Sequence, residues 1–445
     1  MSVFIPEGEL WESKVVGQIF ATKNQIECLQ KAEAALARAE AKLGIIPQEV
    51  SDEINEKATI ENIDLDEYAR QMEITGGHPV VAMLRAWKPF LSAEASELVH
   101  WGATTQDIMD TGDVMKLSAV YDIIYDELLQ LKAILRKLAS EYIDTPLAGR
   151  THEQHAVPTT FGVKVAVWLM EVQRHLKRME QCRPRLRTVC FYGAAGNLAS
   201  FGKGGLNVTR QMARELDMNF APVAWHTSRD SFIEFMTILT NISTTFGKVA
   251  NEIIELSRTE IGELEEPWMP GNVGSSTMPQ KRNPPGCEAM YSLAVLTQFE
   301  VGAMYQASMH ENERDSRAWN LEKFVFPFTC SMTEKNLHYA IVILGKLVVK
   351  PEHMRRNLDL TNGLIMCENL MMKLGARIGR MTAHEKIYQM AMEAYQKDLH
   401  LKDLITADKD IMSMFTTEEI EEYFNPITYT GDAREMVELA LEATR

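Results

Sequence analysis

At 445 residues, 46% of them hydrophobic, the chain is long enough to fill a core in two or three domains. Its 62 acidic side chains outnumber 46 basic ones, and the net charge of −16 opposes non-specific attachment to nucleic acid or to anionic membranes, so an anionic ligand must be drawn in by local positive groups. Six scattered cysteines without a Cys-x-x-Cys pair indicate neither a zinc knuckle nor a disulfide framework, and read as reduced, mostly buried thiols.

The first residues, MSVFIPEGELWESK, lack a basic segment followed by an apolar run, and no stretch of about 18 apolar residues occurs. A soluble, cytoplasmic protein is expected. Because proline breaks helix interiors, the intervals from Pro89 to Pro146, Pro158 to Pro184, Pro222 to Pro267, Pro285 to Pro327 and Pro327 to Pro351 mark where long helices can run. Inside them apolar residues recur at three- and four-residue steps: Phe161, Val165, Trp168, Val172, Leu176 and Met179, then Phe232, Phe235, Leu239, Ile242, Phe246, Val249 and Ile253. A helix filling most of the 223–266 interval would be roughly 50 Å long, a length suited to a bundle shared between subunits. Two-residue alternation is sparse and no Gly-x-Gly-x-x-Gly follows a plausible strand, which argues against a dinucleotide fold. The expected class is all-α: a helical region over 1–99, a long-helix core over 100–350 and a smaller helical domain over 351–445.

Between two long apolar helices lies GNVGSSTMPQKRNPPG, residues 271–286. Its composition is that of a solvated loop, and equally that of a mobile segment that closes on an anion with hydroxyl, cationic and amide groups. The run Gly274-Ser275-Ser276-Thr277-Met278-Pro279-Gln280-Lys281-Arg282-Asn283-Pro284 closely resembles the signature loop GSSxMPxKxNP of the fumarase/aspartase superfamily. Two further signatures of that family are matched by His100-Trp101-Gly102-Ala103-Thr104-Thr105-Gln106-Asp107 and by the 149–162 segment, GRTHEQHAVPTTFG. The resemblance spans essentially the whole chain. It implies a bundle of long helices, no metal or organic cofactor, a small dicarboxylate-containing substrate, and a homotetramer whose sites draw on three subunits.

Within the superfamily the chain looks most like the branch of adenylosuccinate lyases and carboxymuconate-lactonizing enzymes. AALARAEAKLGIIP, HWGATTQD, WHTSRD and LDLTNGLIMCENLMMKL resemble the lactonizing enzymes, whereas Gly77-His78-Pro79-Val80-Val81-Ala82 and the histidine of Arg150-Thr151-His152 resemble the lyases. Expelling an amine requires a general acid, so the two histidines favour C–N cleavage. The resemblance assigns the base to Ser275, the acid to His152 and its support to His78. It assigns the aci-carboxylate charge to Lys281 and Asn283, and the substrate carboxylate to Thr104 and Thr105. Ser276, Met278, Arg150, Thr151 and Arg314 complete the expected substrate contacts. Each has a plain structural use as well: lone histidines cap helices or fill cores, Thr104 and Thr105 can cap a helix with Asp107 in its first turn, and the charged turn around Arg314 can be solvated surface.

The pattern departs around the leaving group. Adenylosuccinate lyases begin with an Arg/Lys-Tyr-Ser phrase that grips a phosphate, but this chain has Gly8-Glu9-Leu10-Trp11-Glu12-Ser13. Where they have Ser-Ser-Ala-Glu-Arg it has Trp319-Asn320-Leu321-Glu322-Lys323, and Ser228 and Gln280 replace a glutamine and a histidine. Lysine does not substitute for arginine at a bidentate phosphate contact. The expected activity is therefore fumarate release from an N-substituted aspartate that need not be a nucleotide. Muconate-type lactonization is the alternative within the family, and a non-catalytic structural homologue the alternative outside it.

Overall fold

The computed structural model describes Gly8, residues 11–268, Gly271 and residues 273–445; Glu9 and Leu10 of the N-terminal phrase and Asn272 of the signature loop lie outside the described residues. Helices account for 68% of the described residues, in line with the all-α reading. Among the described residues the five longest are Thr105–Glu141, Phe161–Leu186, Asp230–Leu256, Pro285–Ala307 and Ser316–Leu344. Every residue of the two apolar stripes named above is buried, and each contributes roughly 1.5–3 kcal/mol by leaving water. Among the described residues no helix is long and apolar enough to cross a membrane.

Proline proved an imperfect marker of helix limits. Pro184 lies inside Phe161–Leu186 and Pro327 inside Ser316–Leu344, where packing of the long apolar faces outweighs a local cost of about 3 kcal/mol. Conversely, the proline-free interval after Pro285 holds two helices. The chain breaks at 308–315, where Asn312 adopts a left-handed φ of 53°. The helix expected over 223–266 runs only from Asp230 to Leu256, 27 residues or about 40 Å.

The residues form two compact units, and each boundary between them falls inside one of the five long helices. The first comprises residues 1–128, 175–247 and 289–338. Its core gathers Ile26, Leu36, Met83, Trp87, Ile108, Phe191 and Met212, with helix Thr22–Lys42 packed on helices Gln48–Lys57 and Gly205–Glu215. The second comprises 129–174, 248–288 and 339–445. It contains a hairpin of β1 (Pro146–Thr151) and β2 (Gln154–Thr160), a two-residue pairing of β3 (Leu264–Glu265) with β4 (Val348–Val349), and a C-terminal core around Leu374, Ile387, Ile405 and Ile420. Sequence reading did not anticipate the hairpin, which is too short and too polar at its tip to show a hydrophobic alternation.

Candidate active site

In the second unit, the 149–162 signature is the tip of the β1–β2 hairpin. Thr151 pairs with Gln154, leaving His152 and Glu153 as a two-residue turn with φ of 49° and 66°. Positive φ at both central residues is the type I′ pattern, normally occupied by Asn-Gly. Thr151 and His152 are exposed. Arg150 is committed within the protein: its guanidinium donates to the buried Glu263 at 2.6 and 3.1 Å and to the Ala148 carbonyl at 3.2 Å. Asn357 donates to the same carboxylate at 2.8 Å.

Glu263 immediately precedes β3, which leads toward the signature loop. On β3, Glu265 accepts from Arg282 at 2.5 Å and from Lys350 at 2.6 Å, while the Arg282 guanidinium lies 5.1 Å from the Trp268 ring centre. One short stretch, Glu263 to Glu265, thus anchors both the hairpin and the loop. The loop folds back on itself. Asn283 Nδ2 donates to the Gly274 carbonyl at 2.8 Å, and a Cβ at Gly274 would stand 1.8 Å from the Lys281 carbonyl oxygen, so only glycine fits there. Ser275 Oγ, half-buried, accepts the backbone N–H groups of Met278 at 3.1 Å and Thr277 at 3.3 Å. Ser276 and Met278 are exposed. Met278, Lys281 and Asn283 line a cleft of about 940 Å³ with Trp268, Gln280 and Arg282.

In the first unit, Thr104 and Thr105 are half-buried at the start of the Thr105–Glu141 helix. The Thr104 N–H donates to Asp107 Oδ2 at 3.0 Å. That buried carboxylate also accepts the N–H groups of Tyr192 at 2.8 Å and Gly193 at 2.9 Å, and meets His226 Nε2 at 2.7 Å. Arg314 donates to Gln106 at 2.9 Å and to the Ala194 carbonyl at 3.0 Å, tying the charged turn to the same segment. Gly102 holds φ 69° with the Phe201 ring 2.2 Å from where a Cβ would be. Exposed His78 occupies the N-cap position of helix Pro79–Trp87, its N–H donating to Thr75 Oγ1 at 3.2 Å.

Among the described residues, the donor atoms of Asp107, Cys190 and His226 lie within 4.8 Å of one another. Both Asp107 oxygens are already saturated by the four hydrogen bonds just given. Burial, with Asp110 and Asp107 nearby, holds the Cys190 thiol well above its ordinary range. The trio is therefore a hydrogen-bonded joint with poor donors for a cation. Beside it, wholly buried Arg229 is gripped by Asp110 at 2.8 and 3.1 Å and by Glu322 at 2.7 Å. All six cysteines are free, and five are buried. The supporting residues Glu263, Asp110 and Glu322 escaped sequence reading because isolated acidic residues carry no spacing signal. Lys323 lies 5.7 Å over the Trp319 ring and donates to Asn320 at 2.8 Å, and Trp319 itself belongs to the apolar core.

Residues 9–297 match a family model described as lyase, and residues 363–440 match one described as adenylosuccinate lyase C-terminus. The chain is 39% identical over 432 residues to an adenylosuccinate lyase of Methanocaldococcus jannaschii, covering 96% of this chain and 93% of that protein. It is 37% identical over 411 residues to an N-acetyl-S-(2-succino)cysteine lyase of Enterococcus italicus, covering 92% and 90%. The crystal structure of a 3-carboxy-cis,cis-muconate lactonizing enzyme from Pseudomonas putida superposes with a TM-score of 0.92 at 32% identity, covering 99% of this chain and 98% of that one. A lyase model over most of the chain, full-length likeness to named lyases and a shared long-helix fold establish that this chain belongs to the fumarase/aspartase superfamily.

Proposed function

We propose that the protein cleaves a succinyl-bearing substrate by β-elimination, releasing fumarate and a protonated leaving group. Ser275 takes the proton from the carbon next to one carboxylate, giving a doubly negative aci-carboxylate; His152, supported by His78, returns a proton to the departing atom as the second bond breaks. The observation that carries this reading is the pair of backbone N–H groups on Ser275 Oγ. A free serine is a weak base, and two fixed amide donors with Lys281 in the same loop are what its alkoxide needs. Lys281, Asn283, Ser276 and Met278 hold the reacting end of the substrate, and Thr104, Thr105, Thr151 and Arg314 the remaining carboxylate. Arg150, bound to Glu263, sets the hairpin that presents His152.

The leaving group is the part in which relatives differ. One is named for adenylosuccinate and another for N-acetyl-S-(2-succino)cysteine, both succinyl compounds. Here Lys323 is laid on Trp319 and bound to Asn320, an arrangement without the arginine fork that would grip a phosphate. We therefore favour a leaving group that carries no nucleotide. The reading includes a cytoplasmic homotetramer with sites assembled from several subunits. Exposed Tyr291, Phe299, Tyr305 and Phe324 on two of the long helices support it, since apolar side chains of that size are normally covered.

The test is fumarate formation across adenylosuccinate, argininosuccinate, N-substituted aspartates, S-succinyl thiols and carboxymuconate. Fumarate from one succinyl substrate supports elimination and identifies the leaving group. Turnover of carboxymuconate alone would replace this reading with lactonization, and inactivity toward the whole panel would favour a structural role.

A further inference from the structure

The His100–Thr105 segment is held at both ends by buried carboxylates. Asp107 secures its C-terminal end, as described. At the other end His100, itself in the left-handed region at φ 68°, places Nδ1 2.6 Å from Oε1 of Glu33. Glu33 lies on helix Thr22–Lys42, 67 residues away in sequence, and is 1% exposed. Its neighbours on that helix, Leu29, Ala32, Ala34, Leu36 and Ala37, are all buried apolar residues. The second oxygen, Oε2, has no hydrogen-bond partner. A carboxylate placed in such surroundings costs several kcal/mol in lost hydration unless a partner offsets it. Helix packing alone gives no reason to have one there. Burial by itself would lower the pKa of His100, but the charge and hydrogen bond of Glu33, with Asp107 beyond it, raise it.

We propose that Glu33 is a positioning residue for the substrate-carboxylate site: through His100 it fixes the turn that presents Thr104 and Thr105. The inference rests on the reading that these threonines hold a carboxylate of the succinyl group. Between the two anchors the backbone turns through two left-handed residues, His100 and Gly102, the second with no room for a Cβ. Gly102 abuts Phe201, its carbonyl accepts from Ser200 Oγ at 3.4 Å, and Ala103 donates to the His100 carbonyl at 3.4 Å. Releasing one anchor lets the threonine hydroxyls and amides drift from the geometry that an anion requires.

Fumarate binding to the full-length protein, measured by calorimetry, tests this without knowledge of the leaving group. The comparison uses wild type, Glu33→Gln, His100→Gln, the double variant and Thr105→Ala, with KM and kcat added for any substrate found. Glu33→Gln keeps the side-chain shape and should weaken fumarate roughly tenfold, raising KM by a similar factor with kcat little changed. The double variant should bind no worse than the weaker single variant, because one linkage is being cut twice. Weakening by Thr105→Ala with unchanged binding by Glu33→Gln would overturn the proposal while sparing the threonine reading. Additive losses from Glu33→Gln and His100→Gln would overturn it too. Unchanged binding by Thr105→Ala, or no fumarate binding by wild type, would overturn the reading and the proposal with it.

Discussion

His152 and Glu153 occupy, side by side, backbone positions that favour asparagine and glycine. Left-handed backbone costs a non-glycine residue roughly 1–2 kcal/mol, and such strain persists where function requires the side chain. Glu153→Gly should therefore raise unfolding stability by about 1 kcal/mol in a denaturant titration and leave turnover intact. His152→Gly should give a similar gain in stability while turnover falls about 10²–10⁴-fold, as expected for loss of a general acid. Equal activity of the two variants would remove His152 from the chemistry. At this scale the sequence was most readable where residues cluster along the chain: Ser275, Lys281 and Asn283 announce themselves within nine positions. Glu33 and Glu263 did not, since their partners His100 and Arg150 lie 67 and 113 residues away.

Helix Thr22–Lys42 shows what periodicity conveys and what it hides. It lies in the helical region expected over 1–99, and its buried face runs through Ile26, Leu29, Ala32, Leu36 and Ala39. The same face also buries Glu33 and Glu40, which polarity would have assigned to solvent. Burial, aided by Glu33, pushes the Glu40 carboxyl from an ordinary 4.5 up to about 9. Its folded form thus holds a proton that the unfolded chain releases. The associated stability is fully present below about pH 4.5 and declines as the pH rises toward 9. Glu40→Gln should flatten that decline, by up to ~4 kcal/mol between pH 5 and pH 8; an unchanged pH profile of unfolding would mean Glu40 is ionised in the fold. Element boundaries were harder to read than faces. Pro184 and Pro327 sit within helices, and a charged turn rather than a proline divides residues 285–344. Tertiary packing decides such limits, and local propensity does not.

For the molecule as a whole, fold class was legible because long apolar stripes leave few alternatives to a bundle. The surfaces that the proposed tetramer would use were not, since a residue facing a second subunit would carry the same hydrophobic signal as one in the core. Phe299, 74% exposed on the Pro285–Ala307 helix, is the residue on which the proposed assembly is best tested. Phe299→Glu should leave the helical circular dichroism unchanged, shift sedimentation from the proposed tetramer to smaller species, and reduce turnover in parallel if sites are shared. A wild-type monomer that turns over substrate would remove both the assembly and the shared-site reading. The base assignment bears hardest on what the protein does. Fumarate release by the wild-type protein and by Ser275→Ala, followed at equal protein concentration with sedimentation of both, addresses it directly. We expect the wild type to release fumarate from a succinyl substrate and the variant to be slower by about 10²–10⁴-fold with assembly and stability preserved. Near-wild-type fumarate release by Ser275→Ala would show that another group removes the proton, and the site described here would have to be rebuilt around it.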